Sequence, residues 1–308
     1  MASKLTIQVV GWNSAPVLPE TLAALSTIPR DRVIIRYIDN ASQDTSVALV
    51  KKILPQAQII QLDKNKGFAG AHNAGLAQCD TSLVMTCDPD LKLIWSGVKK
   101  LLEKFDDTKV GAVQGKIYRA KGREIDSAGI VQTLALNGKE RGASKEDRGQ
   151  YEKETRLLAV TGACGIYRME ALRKVSHSST EFFDSDFFAY KEDVDLGWRL
   201  NKRGWKVLYE PVLTGRHRRT LGKRGWLGWG LSPKTIYQRL RSPRTRFSLR
   251  NWVWMIVKNV SIGQGLLHEV FIGARLLVFL LLNLAYPPLF GVWGEILRGL
   301  PHMLDKRV

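Results

Sequence analysis

Leu83-Val84-Met85-Thr86-Cys87-Asp88-Pro89-Asp90 opens as an apolar, β-prone run and ends in two carboxylates flanking a proline. Leu83 to Thr86 predicts a strand, and the Asp-Pro-Asp that follows predicts two acids at the strand end with little backbone freedom between them. Hard Mg²⁺ or Mn²⁺ prefers such oxygen ligands and can bridge to a diphosphate. The competing reading is an Asp-rich turn, since Asp and Pro both favour turns.

Working outward, Leu5 to Val10, Val33 to Ile38 and Ile59 to Leu62 read as further strands. Leu18 to Leu25, Thr45 to Leu54 and Ala69 to Ala77 read as the helices between them. This alternation predicts an α/β fold, a mainly parallel sheet with helices on both faces. Ligands of such sheets bind beyond the C-terminal strand ends. The polar residues gather there: Asn13, Asp39-Asn40, Asn65-Lys66-Gly67 and Asp88-Pro89-Asp90.

Asp39 is placed to accept from a nucleobase N–H or a ribose hydroxyl, while Ser42 is expected to cap a helix beginning near Gln43. Asn65 to Gly75 is glycine-rich and opens a helix, but matches neither GxGxxG nor a Walker loop and reads best as a tight strand-to-helix turn. Asn137 to Gln150 is expected to be a mobile loop, Leu157 to Val160 a strand, and Lys206 to Tyr209 another strand.

Lys191-Glu192-Asp193-Val194-Asp195 starts a helix expected to end near Gly204. Three acids there complement the helix dipole without any chemistry. The aromatics just before them could also desolvate a carboxylate and raise its pKa toward that of a general base. His217 sits among arginines, so metal ligation by it requires carboxylates or phosphates at the same site.

In order, Val10-Gly11-Trp12-Asn13, Ile38-Asp39-Asn40-Ala41-Ser42, Asn65-Lys66-Gly67-Phe68-Ala69, Asp88-Pro89-Asp90, Thr161-Gly162-Ala163-Cys164 and Glu192-Asp193-Val194-Asp195-Leu196 resemble the inverting family-2 glycosyltransferases of GT-A (Rossmann-like) fold. The likeness is greatest to bacterial rhamnosyltransferase-like members and covers roughly Leu5 to Arg219. It implies Asp193 as catalytic base and Asp90 as ligand of a divalent metal, Mg²⁺ or Mn²⁺, with His217 as second ligand. It implies nucleotide-sugar contacts from Asn13, Asp39, Asn40, Gly67, Asn73 and Asp88, and a sugar and acceptor pocket of Thr161, Gly162, Ala163 and Glu192. Where many relatives carry Arg, this chain has His72. No Gln-x-x-Arg-Trp follows the acidic motif, which points to single additions rather than processive synthesis.

The resemblance favours dTDP-rhamnose as the nucleotide-diphosphate sugar donor, with UDP-hexose or galactofuranosyl transfer as alternatives. More remote readings are a sugar nucleotidyltransferase, which normally has a basic Gly-rich loop where Gly11 to Pro16 has no Lys or Arg, and a non-catalytic carbohydrate- or nucleic-acid-binding protein.

The 308 residues carry a formal charge of +18, which implies a polyanionic partner. From Pro211 to His268 there is no acid but twelve Lys and Arg. In that stretch Trp226, Trp229, Trp252 and Trp254 are interleaved with Lys223, Arg224, Arg239, Arg241, Arg244, Arg246 and Arg250. Tryptophan favours the headgroup region, and each cation near an anionic leaflet contributes about 1 kcal/mol.

Leu266 to Leu284 and Phe290 to Leu300 predict apolar helices interrupted by Arg275, Asn283 and Pro287-Pro288, so they are expected to lie on a membrane rather than span it. The expected organisation is a catalytic domain over 1–215 and a basic, Trp-rich and apolar helical, membrane-associating region over 216–308, with a lipid-linked glycan acceptor. The alternatives are a homodimer contact and, least favoured, a nucleic-acid groove. Cys79, Cys87 and Cys164 lack CxxC spacing, and the N-terminus reads as a strand rather than a signal-peptide core. Both fit a cytoplasmic enzyme at the inner face of the membrane.

Overall fold

The computed structural model describes residues 5–219, 240–261 and 265–307. Strands β1 (Leu5–Gly11), β2 (Val33–Asp39), β3 (Gln58–Gln61) and β4 (Leu83–Cys87) alternate with α1 (Leu18–Ser26), α2 (Ser46–Ile53) and α3 (Gly67–Leu76). They form a parallel quartet in the order β3-β2-β1-β4. β5 (Leu91–Leu93), α4 (Trp95–Glu103), β6 (Val110–Arg119), β7 (Ile125–Ser127), β8 (Ile130–Gln132), β9 (Gly138–Glu140) and β10 (Thr155–Arg156) follow. β11 (Ile166–Arg168), α5 (Met169–Val175), α6 (Glu192–Lys202) and β12 (Lys206–His217) complete the sheet region. β11 lies antiparallel between β4 and β6, and β6 pairs parallel with β12.

The side-chain period of two sorts β4 between two cores. Leu83, Met85 and Cys87 pack with Leu18, Leu22 and Val98 on one face, whereas Val84 packs with Ala69, Leu76 and Leu172 on the other. Helices therefore cover both faces, which is why the strand sequences are apolar almost throughout.

Several expectations need correction. The second helix begins at Ser46, not near Gln43, and Ser42 is not its cap. Ser42 Oγ accepts from Asn13 N at 2.9 Å, while Asp44 accepts from Ser46 N and Ala15 N, both at 2.9 Å. Over Leu157 to Val160 there is only an isolated bridge at Ala159, the strand being Thr155–Arg156. The stretch Asn137 to Gln150 is tied down: β9 pairs with β8, and buried Asp147 accepts from Lys116 Nζ at 2.7 Å and from Tyr118 Oη.

Beyond β12 lie α7 (Pro243–Asn259), α8 (Leu266–Ala285) and α9 (Phe290–Asp305). α7 does not stand apart from the sheet region. Trp252, Trp254 and Met255 share one buried cluster with Ile130, Ala159, Phe187, Val194 and Trp198, across the boundary expected near residue 215.

α8 has the opposite character. Leu266, Val270, Leu277, Leu281 and Leu284 are exposed, whereas Arg275 packs 4.6 Å from the Trp252 ring and Asn283 is buried. Trp226, Trp229, Lys223, Arg224 and Arg239 lie outside the described residues.

Candidate active site

The C-terminal strand ends open into a cleft of about 1170 Å³. Asp88 and Asp90 stand just past β4, where Pro89 O accepts from Thr21 Oγ1 at 2.8 Å and fixes the turn. His217 lies 127 residues beyond Asp90, and the β5–β12 ladder closes that distance by pairing His217 with Leu91. His217 Nε2 is 2.9 Å from Asp90 Oδ1 and 3.4 Å from Asp88 Oδ2. One ligand atom from each of Asp88, Asp90 and His217 lies within 4.8 Å of the others.

On the far side of the ring, His217 Nδ1 is 3.0 Å from Asp126 Oδ2. Asp126 is fully buried and also accepts from Arg219 Nε at 2.6 Å. Burial opposes ionisation of Asp126, but His217 and Arg219 hold its carboxyl well below the usual range. For His217 burial disfavours the charged ring, yet Asp126, Asp90 and Asp88 together raise it to about 9. Burial and neighbouring Asp90 push Asp88 upward, against the pull of His217.

Two carboxylates and an imidazole whose other nitrogen is fixed by a buried carboxylate suit a divalent cation, since such an outer partner sets the ring's orientation and tautomer. Asp126 was missed in the sequence because it lies on a three-residue strand with no motif around it. A buried acid on a β-run is the only signal it left.

The second carboxylate group enters from α6. Asp193 Oδ2 accepts from Gly162 N at 3.3 Å and its Oδ1 from Val194 N at 2.8 Å. Asp88 N donates to Ala163 O at 3.0 Å. Adjacent residues Gly162 and Ala163 thus tie the base candidate and the metal-site loop to one short stretch of backbone, and Asp88, Asp90, Glu192, Asp193 and His217 line the same cleft.

Burial raises the Asp193 pKa and Lys191 pulls it down, with a net rise. Glu192 is raised further, by burial and then by Asp193, and its Oε2 has no protein partner. Burial lowers Lys191 to about 8.

The remaining expected residues divide by what they touch. Thr161, Gly162 and Ala163 line the cleft, Thr161 Oγ1 donating to Glu140 Oε1 at 3.1 Å. A Cβ on Gly162 would lie 2.6 Å from the Phe68 ring, and Gly67, at φ +68, has the Phe188 carbonyl 2.2 Å from where its Cβ would be. Asp39 is buried at the end of β2 with Oδ1 unpartnered.

Asn13 borders the cleft and its Oδ1 accepts from Gln43 N at 2.8 Å. Asn40 donates to Asn65 Oδ1 and Gly67 O and accepts from Lys66 N, so it holds the turn before α3. Asn73 lies away from the cleft lining and binds the backbone of Phe182 and Phe183. His72 is buried, 2.7 Å from Gln8 Nε2, and burial lowers it to about 3.

Residues 6–176 match the family described as Glycosyl transferase family 2. A poly-beta-1,6-N-acetyl-D-glucosamine synthase of Staphylococcus aureus is 24% identical over 212 residues, covering 68% of this chain and 48% of the synthase. The chain thus spans about half the length of that relative. An N-acetylglucosaminyl-diphospho-decaprenol L-rhamnosyltransferase of Mycobacterium tuberculosis is 25% identical over 243 residues, 71% of this chain and 77% of the enzyme. In fold, the chain is similar to GalNAc-T7, solved with UDP, GalNAc and Mn²⁺, with TM-score 0.61 and 14% identity over 83% of this chain and 48% of that one.

Proposed function

The chain belongs to glycosyl transferase family 2, and from that premise we propose that it moves a sugar from a nucleotide-diphosphate donor to a hydroxyl of a lipid-linked glycan, with inversion at the anomeric carbon. The observation that carries this reading is one cleft lined by two distinct acidic groups, Asp88, Asp90 and His217 on one side and Asp193 on the other.

Asp193 takes the acceptor hydroxyl's proton, and its raised pKa suits that task. The freed oxygen attacks the anomeric carbon from the face opposite the departing diphosphate, so one displacement inverts the centre. Asp90 and His217, with Asp88 beside them, would hold Mg²⁺ or Mn²⁺, which when bound supplies charge stabilisation to the leaving diphosphate. In this reading Asp39, whose buried Oδ1 has no hydrogen-bond partner, would accept from the donor base, and Thr161, Gly162 and Ala163, which line the cleft, would lie against the sugar. The L-rhamnosyltransferase relative, named for a diphospho-decaprenol acceptor, supports a rhamnosyl donor, which we take as dTDP-rhamnose, and a diphospholipid acceptor. The N-acetyl-D-glucosamine synthase relative supports the hexosyl alternative.

Membrane attachment rests on α8. It is the one helix among the described residues long and apolar enough to cross a bilayer, and its polar residues Arg275 and Asn283 face the protein while Leu266, Leu277, Leu280, Leu281 and Leu284 are exposed. That inverted arrangement suits a helix lying in lipid at the inner face of the membrane, beside the basic start of α7. Vesicles with and without anionic lipid test it: Leu277→Glu with Leu281→Glu should abolish pelleting. A concentration-dependent dimer that ignores vesicles would favour the homodimer contact instead.

The donor reading is tested by a thermal-shift screen of nucleotide sugars with Mn²⁺ or Mg²⁺, since a bound donor stabilises the folded chain by mass action. A shift with a nucleotide sugar only when metal is present is the expected result. No shift with any donor contradicts it.

A further inference from the structure

Residues 187–191, which deliver Glu192 and Asp193 to the cleft, follow a costly course. Phe188, Tyr190 and Lys191 sit at φ 61, 72 and 77, in the left-handed region that side chains with a Cβ rarely adopt. Each such residue is strained and persists only where its surroundings over-determine it. None of the three is glycine, so the restraint must come from contacts.

Those contacts come from α7. Asn251 is fully buried, and its Nδ2 lies 2.8, 2.9 and 2.7 Å from the carbonyls of Phe187, Ala189 and Tyr190. Two amide hydrogens shared among three carbonyls fix the path of that stretch. Arg250 extends the hold through Nη2 to Asp186 O at 2.9 Å, and Phe247 stacks on Phe188 with centroids 5.3 Å apart.

Two turns further along the same face, Lys258 Nζ is 2.9 Å from Asp195 Oδ1 and Asn259 Nδ2 is 2.7 Å from the same oxygen. Asp195 also receives Arg199 Nε at 2.9 Å, so it is committed to structure rather than chemistry. Asp193 lies between the two clamped points.

We propose that α7 is a splint for the catalytic segment, with Asn251 as the positioning residue that holds residues 187–190 in the course from which Asp193 enters the cleft. Asn251 is not among the residues that line the cleft and acts through backbone carbonyls. The inference rests on Asp193 being the base. The spacing 247, 250, 251, 258 places these gripping residues on one helix face.

The test compares Asn251→Ala with wild type. Turnover should fall about 100-fold, because a misplacement on the order of 1 Å costs that much, while KM for the donor and the metal-dependent thermal shift stay within about twofold. Hydrogen exchange should speed up for amides 188–193 and not for β1 to β4, a readout that needs no activity. Should Asn251→Ala not be recovered folded, Asn251→Ser, which keeps one uncharged donor where the amide has two, is read in the same way.

Unchanged exchange over 188–193 overturns the splint, as does turnover within twofold of wild type. A wild-type chain that transfers no sugar counts against the glycosyl-transfer reading, and the exchange result alone then decides the splint.

Discussion

At the ends of β4 and β12 the cleft is lined by side chains fixed by the β5–β12 ladder and by buried Asp126. Across from them, Asp193 follows a loop with three non-glycine residues at positive φ, restrained by a helix from beyond the sheet. One side takes its geometry from the sheet and the other borrows it from the C-terminal region. In the proposed mechanism a charge-binding pole would gain from rigidity, whereas a base would meet an acceptor that arrives separately, so different supports suit the two proposed duties.

The comparison is broken most severely if the base side is dispensable. Asp193→Asn should lower turnover about 1000-fold, within the span general bases supply, as measured by initial rates of sugar transfer. A loss below tenfold would remove Asp193 from the role.

A smaller effect sharpens the metal side. Asp126→Asn should weaken Mn²⁺ binding about 10- to 100-fold, with turnover recovering at saturating metal. Metal titration of the rate checks this, and an unchanged half-saturation would mean that Asp126 only fills space.

The smallest effect concerns pH. Asp193 must be ionised to take a proton, so turnover rises with pH through its raised pKa. Lys191 lowers that pKa, so removing its charge in Lys191→Met should move the acid limb of the rate profile to higher pH. A limb that stays put would show that Lys191 does not act on the base.

How much of this was legible depends on the range of the interaction. The β1 to β4 alternation and the Asp-Pro-Asp turn are local, so periodicity and spacing were enough to read them. Ser42 was misread because Asp44, two residues away, offers the better acceptor to Ser46 N. Asn137 to Gln150 looked loose because its anchors, Lys116 and Tyr118, lie on a distant strand.

Asp126 and Asn251 were invisible for the same reason, since each acts across more than sixty residues of chain on partners that only the fold brings near. The break in composition near residue 215 is real in charge, yet among the described residues the tryptophans of α7 pack into the same buried cluster as Val194 and Trp198 of α6.

Calorimetric titration of the donor nucleotide sugar with Mn²⁺ into wild type, Asp90→Ala and Asp193→Asn tests the division of labour most directly. The account predicts that Asp193→Asn binds as wild type does and that Asp90→Ala loses the metal-dependent part of the affinity. Equal loss in both variants would contradict two separate poles, and full affinity in Asp90→Ala would contradict the metal site itself.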